Sequence, residues 1–296
     1  MDINAFWEYS DPAASEARFR AALALAEGDE RLELLTQIAR TFSLRGQFEA
    51  AHATLDEVEQ RLGNTGIRPQ LRYLLERGRT FNSSGAPEQA RALFVAAWEQ
   101  AQAAGEATVA GLAVDAAHMV AITYSGAPEA VDWNRRGLML ARASDDPKAR
   151  ALIPAMLNNS AWDLHALGRY DEALTCFEEA QEEWSARGKP AQIQIARWSV
   201  ARCLRSLGRC DEALAIQEAL AAEHAAAGTA DGYVWEEMAE NLAALARMDE
   251  ARPYFGQAYA ELAQDAWLVE HEPDRLASLQ ARATGADLLN SRSPSP

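Results

Sequence analysis

A glycine that closes one helix and opens the next recurs along this chain at a nearly constant spacing. The copies begin at Gly46, Gly85, Gly126, Gly168 and Gly208, and a sixth begins at Ala246, where alanine replaces glycine. Successive copies are separated by about 39, 41, 42, 40 and 38 residues. A fixed period in this range is typical of a helical solenoid, in which each unit packs mainly on its neighbours. The period therefore predicts an array of helices with an extended surface for holding partners.

The fourth unit shows what the repeat consists of. Leu157, Ala161 and Leu164 are spaced i, i+4, i+7, which gives the helix before the turn one apolar stripe. After the turn, the small side chain of Ala173 lets the two helices approach closely. Phe177 then fills the space between this unit and the next. Matching positions in the other units predict the same pair of helices each time.

This pattern resembles the tetratricopeptide repeat family over roughly residues 30–265. The shared features are a small residue before the turn, a Gly-x-aromatic turn and a later pair of alanine with a large apolar residue. They are seen at Ala39, Gly78, Ala161, Ala201 and Ala239, in Gly46-Gln47-Phe48 and Gly168-Arg169-Tyr170, and in Ala173 with Phe177 and Ala251 with Phe255. The period of about 40 residues exceeds the usual 34 or so and resembles the long repeats of kinesin light chains and bacterial regulatory proteins. The resemblance implies an all-α, right-handed superhelical solenoid of about six antiparallel helix pairs, with capping helices at both ends.

The chain is expected to divide into four segments. Residues 1–30 form an N-terminal capping helix or half-repeat, with one helix over residues 12–27, because terminal repeats must cover the exposed core. Residues 31–266 form six repeats, residues 267–284 form a C-terminal capping helix interrupted near Pro273, and residues 285–296 form a disordered tail with Ser-Pro sites.

Charge and hydropathy exclude several classes of protein. The formal net charge is −16 and the chain has two lysines, Lys148 and Lys189. Nucleic-acid binding requires clustered cations, so nucleic acid is not an expected partner. No apolar run approaches the length of a membrane span, and the first residues do not resemble a signal peptide. These features predict a cytoplasmic protein without a membrane partner.

The resemblance implies that the first helix of each unit lines a concave groove. Its register gives the candidate peptide-binding residues Arg79, Asn82, Tyr124, Asn158, Asn159, Trp162, Trp198, Arg202 and Arg205. Arginine suits acidic groups, asparagine can bond a peptide backbone, and aromatic rings offer flat apolar area. On this register, carboxylates are expected only in the last unit. The alternative is that the arginines pair with the chain's own carboxylates, and that Asn158 and Asn159 bond a neighbouring helix.

No motif of known catalytic chemistry is present. The sequence has no P-loop, no Gly-x-Gly-x-x-Gly and no nucleophile elbow, and its five histidines are scattered. We therefore expect no enzyme activity, cofactor or metal. The leading hypothesis is a scaffold or adaptor that binds a partner peptide of acidic character in the groove. The alternatives are a regulatory sensor of a short peptide or small effector, and a self-assembling structural protein.

Overall fold

The computed structural model describes residues 3–285, and every regular element in that range is a helix. We number the α-helices in chain order. They are α1 Pro12–Leu23, α2 Gly28–Leu44, α3 Phe48–Glu59, α4 Ile67–Ser83, α5 Pro87–Ala104, α6 Ala110–Ile122, α7 Pro128–Ala143, α8 Pro147–Ala151, α9 Ile153–Ala166, α10 Tyr170–Ala186, α11 Pro190–Ser206, α12 Cys210–Ala226, α13 Gly232–Ala244, α14 Met248–Leu262, α15 Ala266–His271 and α16 Pro273–Thr284. Short 3-10 turns lie at Ile3–Phe6, Leu62–Asn64 and Ala107–Val109.

The helices fall into two compact units, Met1–Leu167 and Gly168–Pro296. In the first unit, α2 packs on α3, α4 on α5 and α6 on α7, and each pair also contacts the next pair. In the second unit, α11 packs on α12 and α13 on α14, while α10 and α16 pack at the two ends of this series. No helix in residues 3–285 is both long and apolar enough to cross a membrane.

The repeated turn has a specific hydrogen-bonded geometry. After α2, Gly46 adopts φ 70°, its N–H donates to Ser43 O at 3.0 Å, and the N–H of Gln47 donates to Phe42 O at 3.0 Å. This pair of bonds satisfies the last carbonyls of the helix and requires a left-handed residue, which glycine provides at no steric cost. The same bonds recur at Ala246, where φ is 61°. The period in the sequence therefore arises from the need for a left-handed residue at each turn.

Separate apolar clusters, one for each group of neighbouring helices, form the core. Phe19, Leu55 and Phe94 are fully buried centres of three clusters in the first unit, and Phe255 is fully buried in the second. Glycine is required at one of these contacts, because a Cβ on Gly78 would lie 2.4 Å from Cε1 of Phe94. Such nearest-neighbour packing is characteristic of repeat proteins.

The ends differ from the expected segments in detail. The helix expected over residues 12–27 stops at Leu23, since the chain turns there to bring α2 back against α1. The closing segment is split at Pro273 into α15 and α16, as expected from the proline. Apart from Gly285, the predicted disordered tail of residues 285–296 lies outside the described residues. The four-segment division as a whole stays a prediction.

Candidate functional site

An arginine network lies among the first helices of the first unit. Arg79 on α4 donates from Nη1 to Glu76 Oε1 at 2.9 Å and from Nη2 to Asp115 on α6. Arg40 on α2 reaches the same Glu76 oxygen at 3.5 Å. Burial alone would raise the pKa of Asp115, but the adjacent Arg79 guanidinium outweighs it and lowers that pKa. These contacts link three successive repeats through the buried carboxylate of Glu76 and the partly buried side chains around it.

A cavity of about 360 Å³ opens beside this network. Five cations line it together with two carboxylates; they are Arg40, Arg68, Arg72, Arg79, Lys148, Asp115 and Asp146. The Nε atom of Arg40 is buried without a hydrogen-bond partner, and Arg72 Nε lies 3.5 Å from Glu33 Oε2 in an ion pair. Burial lowers the pKa of Arg72 despite the nearby carboxylates. The cations that line the cavity outnumber its carboxylates, which suits an anionic group.

Sequence reasoning did not place Glu76 or Asp115 on this face, so the expectation that its carboxylates occur only in the last unit is wrong. A signal was present in the sequence. Arg40 and Glu76 are 36 residues apart, and so are Arg79 and Asp115. An acid 36 residues after an arginine, which is about one helical turn short of the repeat period, is thus a candidate partner across neighbouring repeats.

The other predicted residues of the first unit lie in different surroundings. Asn82 lines a small cavity of about 130 Å³ beside Arg79. The face of the Tyr124 ring is covered by Arg91, whose guanidinium carbon lies 3.8 Å from the ring centroid. Asn158 is half-buried. Asn159 and Trp162 line a cavity of about 310 Å³ that also contains a buried carboxylate, Asp163. Only some of the predicted residues therefore share a cavity.

In the second unit, the predicted arginines are bonded to the chain itself. Arg205 donates from Nε and Nη2 to the two carboxylate oxygens of Glu237 at 2.8 and 2.9 Å. Arg202 Nε lies 3.2 Å from Oε1 of the same glutamate. The alternative of pairing with the chain's own carboxylates thus describes the geometry of Arg79, Arg202 and Arg205. Their contact with a ligand stays a prediction.

A mainly apolar groove of about 420 Å³ lies between α11, α12 and α13. Its lining consists of Ala191, Gln194, Ile195, Trp198, Leu220, His224, Asp231, Tyr233 and Val234. Trp198 donates its indole N–H to Tyr233 O at 3.1 Å, which fixes the ring at the groove wall. Ile195 is 61 % exposed and Tyr233 is 39 % exposed. Sequence reasoning found Trp198 but missed Ile195, which lies one turn before it.

Comparison with known proteins supports the assignment of the repeats. Residues 152–222 match the family model described as Tetratricopeptide repeat. A search of curated proteins found no significant match.

Several solved structures have a similar fold, and each match covers most of this chain. One is a signal transduction ATPase with numerous domains and a tetratricopeptide repeat sensor from Pyrococcus horikoshii, with a TM-score of 0.71, 13 % identity and 90 % of this chain covered. This chain spans 41 % of that protein's length. The apo form of RapI gives a TM-score of 0.71 at 12 % identity, covering 89 % of this chain and 76 % of its own. NprR in complex with its cognate peptide NprX gives a TM-score of 0.55 at 17 % identity. That match covers 99 % of this chain and 87 % of the NprR chain.

The helix pairs, the family match and these structures together define the class of protein to which the chain belongs. The chain is a helical repeat protein with tetratricopeptide-like repeats, which confirms the predicted fold and resemblance.

Proposed function

We propose that this chain is a non-catalytic binding protein, an adaptor or sensor, that takes an apolar side chain of a partner peptide into the groove beside Trp198. The observation that carries the proposal is the exposure of Ile195 and Tyr233 at the rim of a cavity of about 420 Å³. Sites for small ligands and side-chain anchors are typically concave, mainly apolar and about 300–1,000 Å³ in volume.

The polar groups of the groove already have partners within the chain. Asp231 accepts the backbone N–H of Tyr233 at 2.9 Å and so caps α13, and His224 Nδ1 lies 3.1 Å from Thr229 Oγ1. The indole N–H of Trp198 is also occupied. What remains for a partner is apolar area with an aromatic wall, which is typical of the centre of a binding hot spot.

Two similar structures support this kind of function at the level of the fold. NprR was solved with its cognate peptide, and the Pyrococcus horikoshii protein carries a repeat sensor. The first favours peptide binding, and the second favours a sensor as the alternative to an adaptor. The cytoplasmic location and the absence of a nucleic-acid partner stay predictions.

Selection of peptides from a random library displayed on phage tests the proposal. We expect selection on the wild-type protein to enrich peptides with a large apolar residue, and the selected clones to lose binding to Trp198→Ala. Trp267→Ala is the matched control, because Trp267 is 56 % exposed in the same unit and does not line the groove. Equal binding of the selected clones to both variants would refute the groove as the site.

The acidic character predicted for a partner has separate support in the first unit. The cavity of about 360 Å³ is lined by five cations and two carboxylates, so an excess of positive charge faces it. We expect fluorescein-labelled hexaglutamate to bind wild-type protein more tightly than Lys148→Glu protein, because Lys148 lines this cavity. Lys189→Glu supplies the control, since this lysine lies in the second unit. An equal loss of affinity in Lys148→Glu and Lys189→Glu would show that overall charge, and not this cavity, determines the binding.

A further inference from the structure

The cavity between α6, α7 and α9 contains a carboxylate that the proposed function does not use. Its volume is about 310 Å³, and its lining is Ile122, Ser125, Asn134, Asn159, Trp162 and Asp163. Asp163 is 5 % exposed, so it is nearly removed from water. A buried carboxylate is unfavourable unless charges or hydrogen bonds compensate it.

The hydrogen bonds that Asp163 makes do not neutralise it. Its Oδ1 accepts the backbone N–H of Gly126 at 2.8 Å and is 3.5 Å from Ser125 Oγ. Its Oδ2 has a single contact, with Asn134 Nδ2 at 3.5 Å. A carboxylate can accept about four hydrogen bonds. Acceptor capacity therefore remains, mainly on Oδ2.

No arginine or lysine in residues 3–285 is paired with this carboxylate, and its hydrogen-bond partners are all uncharged. The basic group that acts electrostatically on this carboxyl is His118, whose Nδ1 lies 3.3 Å from Asn134 Oδ1. Burial raises the pKa of Asp163, with the bond from Gly126 acting in the opposite direction. The arginines of the first unit thus compensate Glu76 and Asp115 but leave Asp163 without a cation.

The remaining walls suit a cation that also carries carbon. Trp162 contributes an indole ring, and aromatic faces attract ammonium groups. Asn159 contributes an amide whose oxygen can accept a further N–H, and Ile122 contributes apolar surface. A metal ion fits poorly, because it needs several converging ligands, and no group of three or more His, Cys, Asp or Glu in the described residues is arranged to hold one.

We infer that this cavity binds an organic ammonium group, with Asp163 as the counter-ion and Trp162 as the aromatic wall. The ammonium donates to the open side of the Asp163 carboxylate, while its carbon chain packs on Trp162 and Ile122. The ammonium can belong to a small free amine or to a lysine side chain of a partner. The site lies in the first unit and does not depend on the groove beside Trp198.

Titration with n-butylammonium chloride tests this inference, with n-butanol as the neutral probe of similar shape. The readout is the indole ¹H–¹⁵N signal of Trp162 in protein labelled at tryptophan, assigned by its loss in Trp162→Phe. We expect a saturable shift with butylammonium and at least tenfold weaker binding of butanol. Equal binding of the two probes would overturn the inference.

Asp163→Asn is the decisive variant, because an asparagine oxygen can still accept the Gly126 N–H while the charge is removed. We expect it to weaken butylammonium binding at least tenfold. Asp145→Asn, which removes an exposed carboxylate of the same unit, should leave binding unchanged. Unaltered binding in Asp163→Asn would overturn the inference.

The wild-type protein provides a second test that does not depend on the folding of the variants. Butylammonium chloride should raise the unfolding temperature more than equal concentrations of butanol or sodium chloride, because it binds the native state alone. No difference from sodium chloride would overturn the inference. Competition by Nα-acetyl-lysine-N-methylamide would support a lysine side chain as the source of the ammonium. If this lysine derivative does not compete while butylammonium still binds, the result would support a small free amine as the source.

Discussion

Arg205 and Glu237 are joined by two hydrogen bonds, at 2.8 and 2.9 Å, between the first helices of neighbouring repeats, α11 and α13. Glu237 is buried and Arg205 is about one-quarter exposed. An arginine that the sequence suggested for ligand contact thus connects two repeats. Paired guanidinium and carboxylate groups of this geometry are among the stronger polar contacts in proteins.

Removal of this arginine should destabilise the second unit. Arg205→Ala leaves Glu237 buried with only Arg202 nearby, so we expect the free energy of unfolding to fall by about 1–3 kcal/mol. Urea denaturation followed by circular dichroism measures the change.

The control for this prediction is Arg209→Ala. Arg209 makes the same kind of two-bonded pair, with Glu212 at 2.7 Å, but both side chains are largely exposed. Exposed pairs contribute little because water screens them. A loss in Arg209→Ala as large as that in Arg205→Ala would show that burial of the pair does not determine its contribution.

The sixth turn should become more stable when glycine replaces its alanine. Ala246 has φ 61°, a left-handed conformation that costs a residue with a Cβ about 1–2 kcal/mol. Part of this gain is offset by the greater freedom of glycine in the unfolded chain. We expect Ala246→Gly to raise the free energy of unfolding by about 1 kcal/mol.

Replacement of alanine by glycine within a helix should lower the free energy of unfolding. Ala219 is exposed in the middle of α12, where glycine costs roughly 1 kcal/mol relative to alanine. Differential scanning calorimetry of both variants checks the pair. Destabilisation by both substitutions would argue against a left-handed backbone at Ala246.

Stability should depend on pH through His118. Burial lowers the pKa of His118 below its ordinary value of 6.5, although the bond to Asn134 acts in the opposite direction. As the pH falls below about 6.5, the unfolded chain gains a proton that the folded chain resists, so the free energy of unfolding falls by up to about 1.4 kcal/mol per pH unit.

His118→Gln removes this titration while it keeps a polar side chain next to Asn134. Urea midpoints between pH 7.5 and 5 should therefore fall more steeply for the wild type than for His118→Gln. His52, whose pKa is also lowered by burial, is present in both proteins and does not contribute to the difference. Parallel curves would contradict the prediction.

The repeat could be predicted from the sequence because its determinants are local. The turn at Gly46 depends on one left-handed residue and on bonds within six residues, so its signature is visible in the sequence. Side-chain partners depend on distant residues. The bond from Arg79 to Asp115 spans 36 residues and requires the packing of two repeats. Asp163 was missed for the same reason, because its main partner is a backbone N–H at Gly126.

The most direct test of the proposed function is the affinity of one selected peptide for two matched variants, measured by fluorescence anisotropy. Ile195→Glu places a charge in the apolar groove, whereas Val269→Glu places the same charge on an exposed apolar residue of the same unit outside it. We expect Ile195→Glu to raise the dissociation constant at least tenfold, about 1.4 kcal/mol, and Val269→Glu to leave it unchanged. An unchanged dissociation constant in Ile195→Glu would contradict peptide binding in this groove.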